Sequence, residues 1–213
     1  MAGELIGGAL GRYLDGLVPP RNEELQKMEA YAREVDFPIV GPACGYFCYQ
    51  ITRMLGARKV FELGSGYGYS TAWFARGVLE NGGGVVHHVV WHEDLSRKAQ
   101  EHLGALGYGD LIQYRVGEAV QALRDTPGPF DIIFNDIEKQ GYPASLPVIQ
   151  EKLRPGGVLI VDNMLWHGAI LDAEDHGTAT EAIRELTRLL TTSDDWITTL
   201  VPIRDGLMVA LKK

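Results

Sequence analysis

The side chains best equipped for chemistry gather at the ends of two apolar runs. FDIIFNDIEK places Asp136, Glu138 and Lys139 just after one run, and GVLIVDN places Asp162 and Asn163 just after another. Two carboxylates and an amide oxygen form a hard, oxygen-only set of the kind that suits Mg²⁺ and leaves positions open for a bidentate oxygen ligand. Without a cation the two acids would repel each other across a low-dielectric cleft. The plainer alternative is a pair of strand-end acids that cap neighbouring loops. Upstream, VFEL runs into Gly64-Ser65-Gly66-Tyr67-Gly68-Tyr69-Ser70-Thr71. Such a turn lets backbone N–H groups approach an anionic or nucleoside ligand at the start of the next helix, unless it is simply a tight strand-to-helix connection. Its third glycine comes one residue too early for the dinucleotide fingerprint G-x-G-x-x-G, and no Gly-Lys-Ser/Thr follows to make a P-loop.

These groups need a scaffold that brings separate run ends together. From Lys59 onward, apolar runs at 60–63, 84–90, 111–116, 130–135 and 157–162 alternate with helical spacing over 70–79, 94–106, 117–124 and 142–153. Strands alternating with helices at this interval predict an open α/β, Rossmann-like, doubly wound fold with a mostly parallel sheet covered on both faces. Ligands of such sheets sit at the carboxyl ends of the strands, where Asp136, Asp162 and the glycine loop fall. After a helix predicted over 178–190, WITTLVPI and LMVALKK flank Arg204-Asp205-Gly206, and the Asp-Gly pair predicts an antiparallel hairpin at the sheet edge. Ahead of the sheet, Asn22 is placed to cap a helix that starts with Glu23 and Glu24 and has Leu25, Met28, Tyr31 and Ala32 on one face. A second helix is predicted over 44–55. No repeat or linker divides the chain, so 1–213 reads as one domain, with 1–57 contributing to an acceptor site or a dimer contact.

Composition narrows the function classes. With 46% apolar and 23% charged residues, a disordered chain, a coiled coil and a collagen-like chain are excluded. A net charge of −8 repels polyphosphate and anionic lipid, so neither nucleic acid nor a membrane is expected as a partner. Cys44 and Cys48 lie one helical turn apart, with no second Cys/His pair to make a zinc site. They are expected to be small core residues of a reduced, cytoplasmic protein. His87 and His88, adjacent on a strand, must point to opposite faces and cannot chelate together.

Taken together the motifs resemble the cation-dependent O-methyltransferases, the family of catechol O-methyltransferase and caffeoyl-CoA O-methyltransferase. VFELGSGYGYST is similar to that family's cofactor loop, FNDIEKQGYPASL to its F-x-D-A-D-K-x-x-Y stretch, RPGGVLIVDNMLWHG to the segment ending Asp-Asn-x-Leu-Trp-x-Gly, and VPIRDGLMVALKK to the closing hairpin. The resemblance implies a seven-stranded sheet and a homodimer. It also implies a bound S-adenosylmethionine contacted by Glu62, Gly64, Ser65, Gly66, Gly68, Ser70 and Asp136, with Glu118 and Ala119 at its adenine. A divalent cation, Mg²⁺ foremost, would rest on Asp136, Asp162 and Asn163 and ligate both hydroxyls of a catechol-like acceptor. Lys139 falls where catechol O-methyltransferase has its general base. A cation beside it disfavours the charged ammonium and stabilises the aryloxide that the lysine generates, and this oxygen then attacks the sulfonium methyl in line. Trp166 and His167 are expected to wall the acceptor.

Where the family usually carries an acid that clasps the ribose hydroxyls, this chain has Val90. Glu93 is therefore expected to supply that contact, the alternative being that Glu93 and Asp94 merely open a helix. Two other readings stay open. One is a catalytically degenerate fold relative that acts as a binding or dimer module. The other is a nucleotide-dependent oxidoreductase, which the glycine spacing opposes.

Overall fold

The computed structural model describes residues 8–213. Among the described residues three helices precede the sheet: α1 (Ala9–Leu17), α2 (Glu23–Glu34) and α3 (Gly41–Met54). Helix α1 ends just ahead of Pro19-Pro20. It docks on α3 through Asp15, whose carboxylate accepts the Ala43 N–H at 3.0 Å. Residues 1–7 of the N-terminal region assigned to an acceptor or dimer role lie outside the described residues. Asn22 caps α2 by accepting the Leu25 N–H at 2.9 Å, with Glu23 and Glu24 in the first turn complementing the helix dipole. Helix α3 begins three residues earlier than the 44–55 span, because Pro42 fits the first turn, where no N–H is needed.

Beyond these helices come β1 (Lys59–Leu63), α4 (Tyr69–Glu80), β2 (Val85–Val90), α5 (Glu93–Ala105), β3 (Ile112–Val116), α6 (Ala119–Asp125), β4 (Phe130–Asn135), α7 (Tyr142–Lys152), β5 (Leu153–Val161), α8 (Thr178–Thr192), β6 (Trp196–Val201) and β7 (Leu207–Lys212). The seven strands form one sheet in the order β3-β2-β1-β4-β5-β7-β6. The first five are parallel, and β7 runs antiparallel between β5 and β6. Strand β5 starts earlier than the 157–162 run, at Leu153. That residue pairs with Phe130 across a register irregularity, where Arg154 Nε meets Asp131 Oδ1 at 2.6 Å.

Each face of the sheet carries its own apolar core. On one side Val60, Val86, Ile132 and Ile160 pack against helices α2 to α5, around Met28, Cys48, Trp73 and Phe74. On the other Phe61, Ile133, Leu159 and Val161 pack against α6, α7 and α8, around Leu123, Ile149 and Leu186. The strand period of two thus divides neighbouring residues between two cores. The histidine pair shows this directly. His88 is fully buried, while His87 faces the opposite side and stacks on Phe61 at 5.4 Å between centroids. Burial lowers the imidazole pKa of His88 to about 3 and that of His87 to about 4. Cys44 and Cys48 are free, buried thiols inside the first core.

Candidate active site

Strand order reverses between β1 and β4, and a cavity of about 530 Å³ opens at the carboxyl ends of the strands there. Its floor is the turn after β1. Gly64, at φ +85°, sits so close to the end of β4 that a Cβ would lie 2.5 Å from the Asp136 carbonyl oxygen. Only glycine allows the Asp136 N–H to donate to the Leu63 carbonyl at 2.8 Å and hold the glycine loop against the acidic corner. Ser65 ties the loop to β2, its hydroxyl accepting the Val89 N–H at 3.0 Å and its own N–H donating to the Val89 carbonyl at 2.9 Å. Gly64, Ser65, Gly66 and Ser70 all line the cavity.

Glu62 and Gly68 do not. Gly68 caps α4 and faces α5, where a Cβ would meet the Ala99 and Leu103 side chains at 3.1 Å. Glu62 is fully buried beneath the loop, where it accepts a hydrogen bond from the Thr71 hydroxyl. Thr71 Oγ1 in turn lies 3.1 Å from His88 Nδ1, and among the described residues Glu62 Oε1 and His88 Nε2 have no partner. Burial pushes the Glu62 carboxyl up to about 7, against the opposing pull of the Ser70, Thr71 and Ser65 hydroxyls.

One side of the cavity is walled by Val89, Val90, Trp91, Gly117 and Ala119. Glu93, expected to contact the ribose, is not among the residues that line the cavity. It is the first residue of α5, its side chain is exposed, and its carboxylate stands with Asp94 at the positive end of the helix. Glu118 is likewise absent from the wall. Its carboxylate caps α6, accepting the Val120 N–H at 2.9 Å and the Gln121 N–H.

At the opposite end the acids converge. Asp136 follows β4 and Asp162 follows β5, and both line the cavity together with Lys139, Asn163, Trp166 and His167. Lys139 Nζ lies 2.7 Å from Asp136 Oδ1 and 3.2 Å from the Ile137 carbonyl, with the Tyr142 ring 5.1 Å away. The Tyr142 hydroxyl donates to the Asp162 carbonyl at 2.8 Å, bracing the strand end from behind. Asp162 is 1% exposed, and burial, reinforced by the charge of Asp136, raises its carboxyl to about 7. Burial also raises Asp136, against the pull of Lys139.

A cation fits this corner on two observations. Asp162 Oδ1 is buried with no hydrogen-bond partner among the described residues. Asn163 donates its Nδ2 to Asp205 Oδ2 at 3.1 Å, which leaves its amide oxygen available as a ligand. Among the described residues no three His, Cys, Asp or Glu side chains gather at one point, so the amide would complete the set.

Two parts of the site carry little local signal in the sequence. Phe37, Pro38, Ile39 and Val40, in the connection from α2 to α3, form one wall. Arg204 and Asp205, which read as turn residues, reach back from the β6–β7 hairpin to Asp162 and Asn163. Only the sheet order, with β7 beside β5, brings them there.

With this geometry in place the chain can be set beside known proteins. A family profile described as O-methyltransferase matches residues 20–213. The chain belongs to the O-methyltransferase family. A catechol O-methyltransferase of Niastella koreensis is 27% identical over 216 residues, covering 96% of this chain and 97% of the relative. Among solved family structures, the O-methyltransferase TomG from Streptomyces achromogenes, in complex with S-adenosylmethionine, superposes with a TM-score of 0.87. It is 27% identical, with 100% of this chain and 99% of that one covered. The Bacillus cereus O-methyltransferase in complex with S-adenosylhomocysteine gives the same TM-score and identity, with 99% and 100% covered.

Proposed function

We propose that this O-methyltransferase moves a methyl group from S-adenosylmethionine to one hydroxyl of a catechol-like aromatic diol, with Lys139 as general base and Asp136, Asp162 and Asn163 holding a divalent cation, Mg²⁺ foremost. The observation that carries the reading is the convergence of Asp136, Lys139, Asp162 and Asn163 on one cavity with the glycine loop at its floor. Gly64, Ser65, Gly66 and Ser70 would hold the amino-acid end of the cofactor, and Val90, Trp91 and Ala119 would pack against its nucleoside. A cation at the corner would chelate the two acceptor oxygens and favour the ionised one.

Lys139 is 9% exposed, so the proton it takes from the acceptor is passed inside a site largely shielded from water. Asp136, turned toward a cation, would release Lys139 from their ion pair, and the cation's charge nearby would favour loss of the ammonium proton to solvent, leaving a neutral amine to accept the acceptor's proton. The bound cofactor would supply the methyl group, the acceptor oxygen bonding to the methyl carbon as the carbon–sulfur bond breaks, with the methyl ether and S-adenosylhomocysteine as products and the acceptor's proton held on Lys139. Trp166 and His167, stacked on each other with ring centroids 5.6 Å apart, both line the cavity and would wall the acceptor's aromatic ring.

The same proposal takes 1–213 as one domain whose N-terminal helices border the acceptor, as Phe37 to Val40 do in the cavity wall. It takes the protein as a cytoplasmic homodimer. Leu10, Tyr13 and Leu17 stand exposed on α1, and among the described residues no helix is long and apolar enough to cross a membrane.

The test is methyl transfer to catechol with Mg²⁺, read by mass spectrometry of the product. Lys139→Met is expected to lower kcat about 10²- to 10⁴-fold with S-adenosylhomocysteine affinity retained. Full activity in Lys139→Met, or transfer unaffected by EDTA, would refute the mechanism.

A further inference from the structure

Each acid of the corner already carries a positive side chain. Lys139 Nζ lies on Asp136, and Arg204 Nη1 lies 3.2 Å from Asp162 Oδ2. The four groups form two matched pairs, so their formal charge sums to zero.

Arg204 is held there at a conformational cost. It sits in the turn between β6 and β7 at φ +53°, a left-handed conformation that L side chains rarely adopt and a glycine would take freely. The side chain lines the cavity and is 33% exposed, against 1% for its partner. Among the described residues its Nε and Nη2 make no hydrogen bond, so a single N–H holds it to Asp162.

A divalent cation on Asp162 would stand close to this guanidinium, and two positive charges at such range repel strongly when shielded from water. One of the two resident cations has to give way. Lys139 is more buried and is also tied to the Ile137 carbonyl, whereas Arg204 is on a turn, singly bonded and partly in solvent.

We propose that Arg204 is the resident counter-cation of Asp162, neutralising it before a divalent cation arrives and competing with that cation for the carboxylate. This inference rests on the reading of Asp136, Asp162 and Asn163 as the cation's ligands. Arg204 thereby sets the affinity of the site for its metal: the cation enters as the guanidinium swings outward.

The test is binding of Mn²⁺ alone to the full chain, followed by calorimetry and by the spin-resonance signal of the free ion. Arg204→Gly and Arg204→Gln are expected to bind Mn²⁺ about tenfold more tightly than the wild type, or better, and Arg204→Lys to stay near it. Because glutamine keeps a side chain on the left-handed backbone, tightening shared by the glycine and glutamine variants comes from the lost charge and not from relief of strain. Asp162→Asn is expected to abolish the binding. Equal or weaker Mn²⁺ binding in both uncharged variants, with the wild type still dependent on Asp162, would overturn the role of Arg204 and leave the cation site standing. No Mn²⁺ binding in any variant would overturn both.

Discussion

Replacing Glu62 by glutamine isolates the energetic cost of a charge buried under the glycine loop. Glu62 is fully buried, and one of its carboxylate oxygens lacks a partner among the described residues. Burial raises its carboxyl from the ordinary 4.5 to about 7. The folded state therefore holds the proton over a range in which the unfolded chain has released it. The stability that this proton represents is complete below about pH 4.5 and is lost as pH rises through about 7. At roughly 1.4 kcal/mol for each tenfold change, the full difference is about 3 kcal/mol, most of it between about pH 5 and pH 8. Glutamine keeps the shape and a hydrogen-bonding group for Thr71 but has nothing to ionise. The difference in unfolding free energy between Glu62→Gln and wild type, measured by urea denaturation, should therefore grow in favour of the variant by about 2–3 kcal/mol across that interval. Groups common to both proteins cancel in the comparison. A difference that stays constant with pH would show that Glu62 is ionised in the fold at little cost and would refute the reasoning.

Gly64→Ala adds a Cβ 2.5 Å from a backbone oxygen at φ +85°. Left-handed strain and overpacking together predict a loss of about 3 kcal/mol in stability and weaker S-adenosylhomocysteine binding, checked by urea midpoint and calorimetry. Glu93→Ala should leave S-adenosylhomocysteine affinity within about twofold of wild type, because the side chain is exposed at the start of α5 and lies outside the cavity wall. A tenfold loss would restore Glu93 to the site.

The elements most legible in the sequence are those whose pattern is set by burial alone. The five parallel strands read as apolar runs because both faces of the sheet are covered, and the hairpin reads from Asp205-Gly206. The acidic corner and the glycine loop were equally readable, since strand-end position in such a sheet dictates where side chains converge. Glu93, Glu118 and Gly68 show the limit of the same reasoning. An acid beside a strand end can serve a ligand or a helix, and spacing does not distinguish them. Their helices begin at Glu93, Ala119 and Tyr69, so all three residues stand at or next to a helix start. Arg204 was invisible for another reason. Its partner Asp162 is 42 residues away, and the contact exists only because β7 inserts between β5 and β6. Helix α1 is short, and the hydrogen bond that ties it to Ala43 is one that no local pattern announces.

The claim on which everything else depends is that the cavity at the β1/β4 strand ends is the cofactor site. Calorimetric titration of S-adenosylmethionine into the purified chain tests it most directly, because Val90 stands where the family resemblance leads one to expect an acid for the ribose. The account predicts one binding site per chain with a micromolar Kd, retained in Glu93→Ala and weakened in Gly64→Ala. Absence of binding at millimolar cofactor would contradict it.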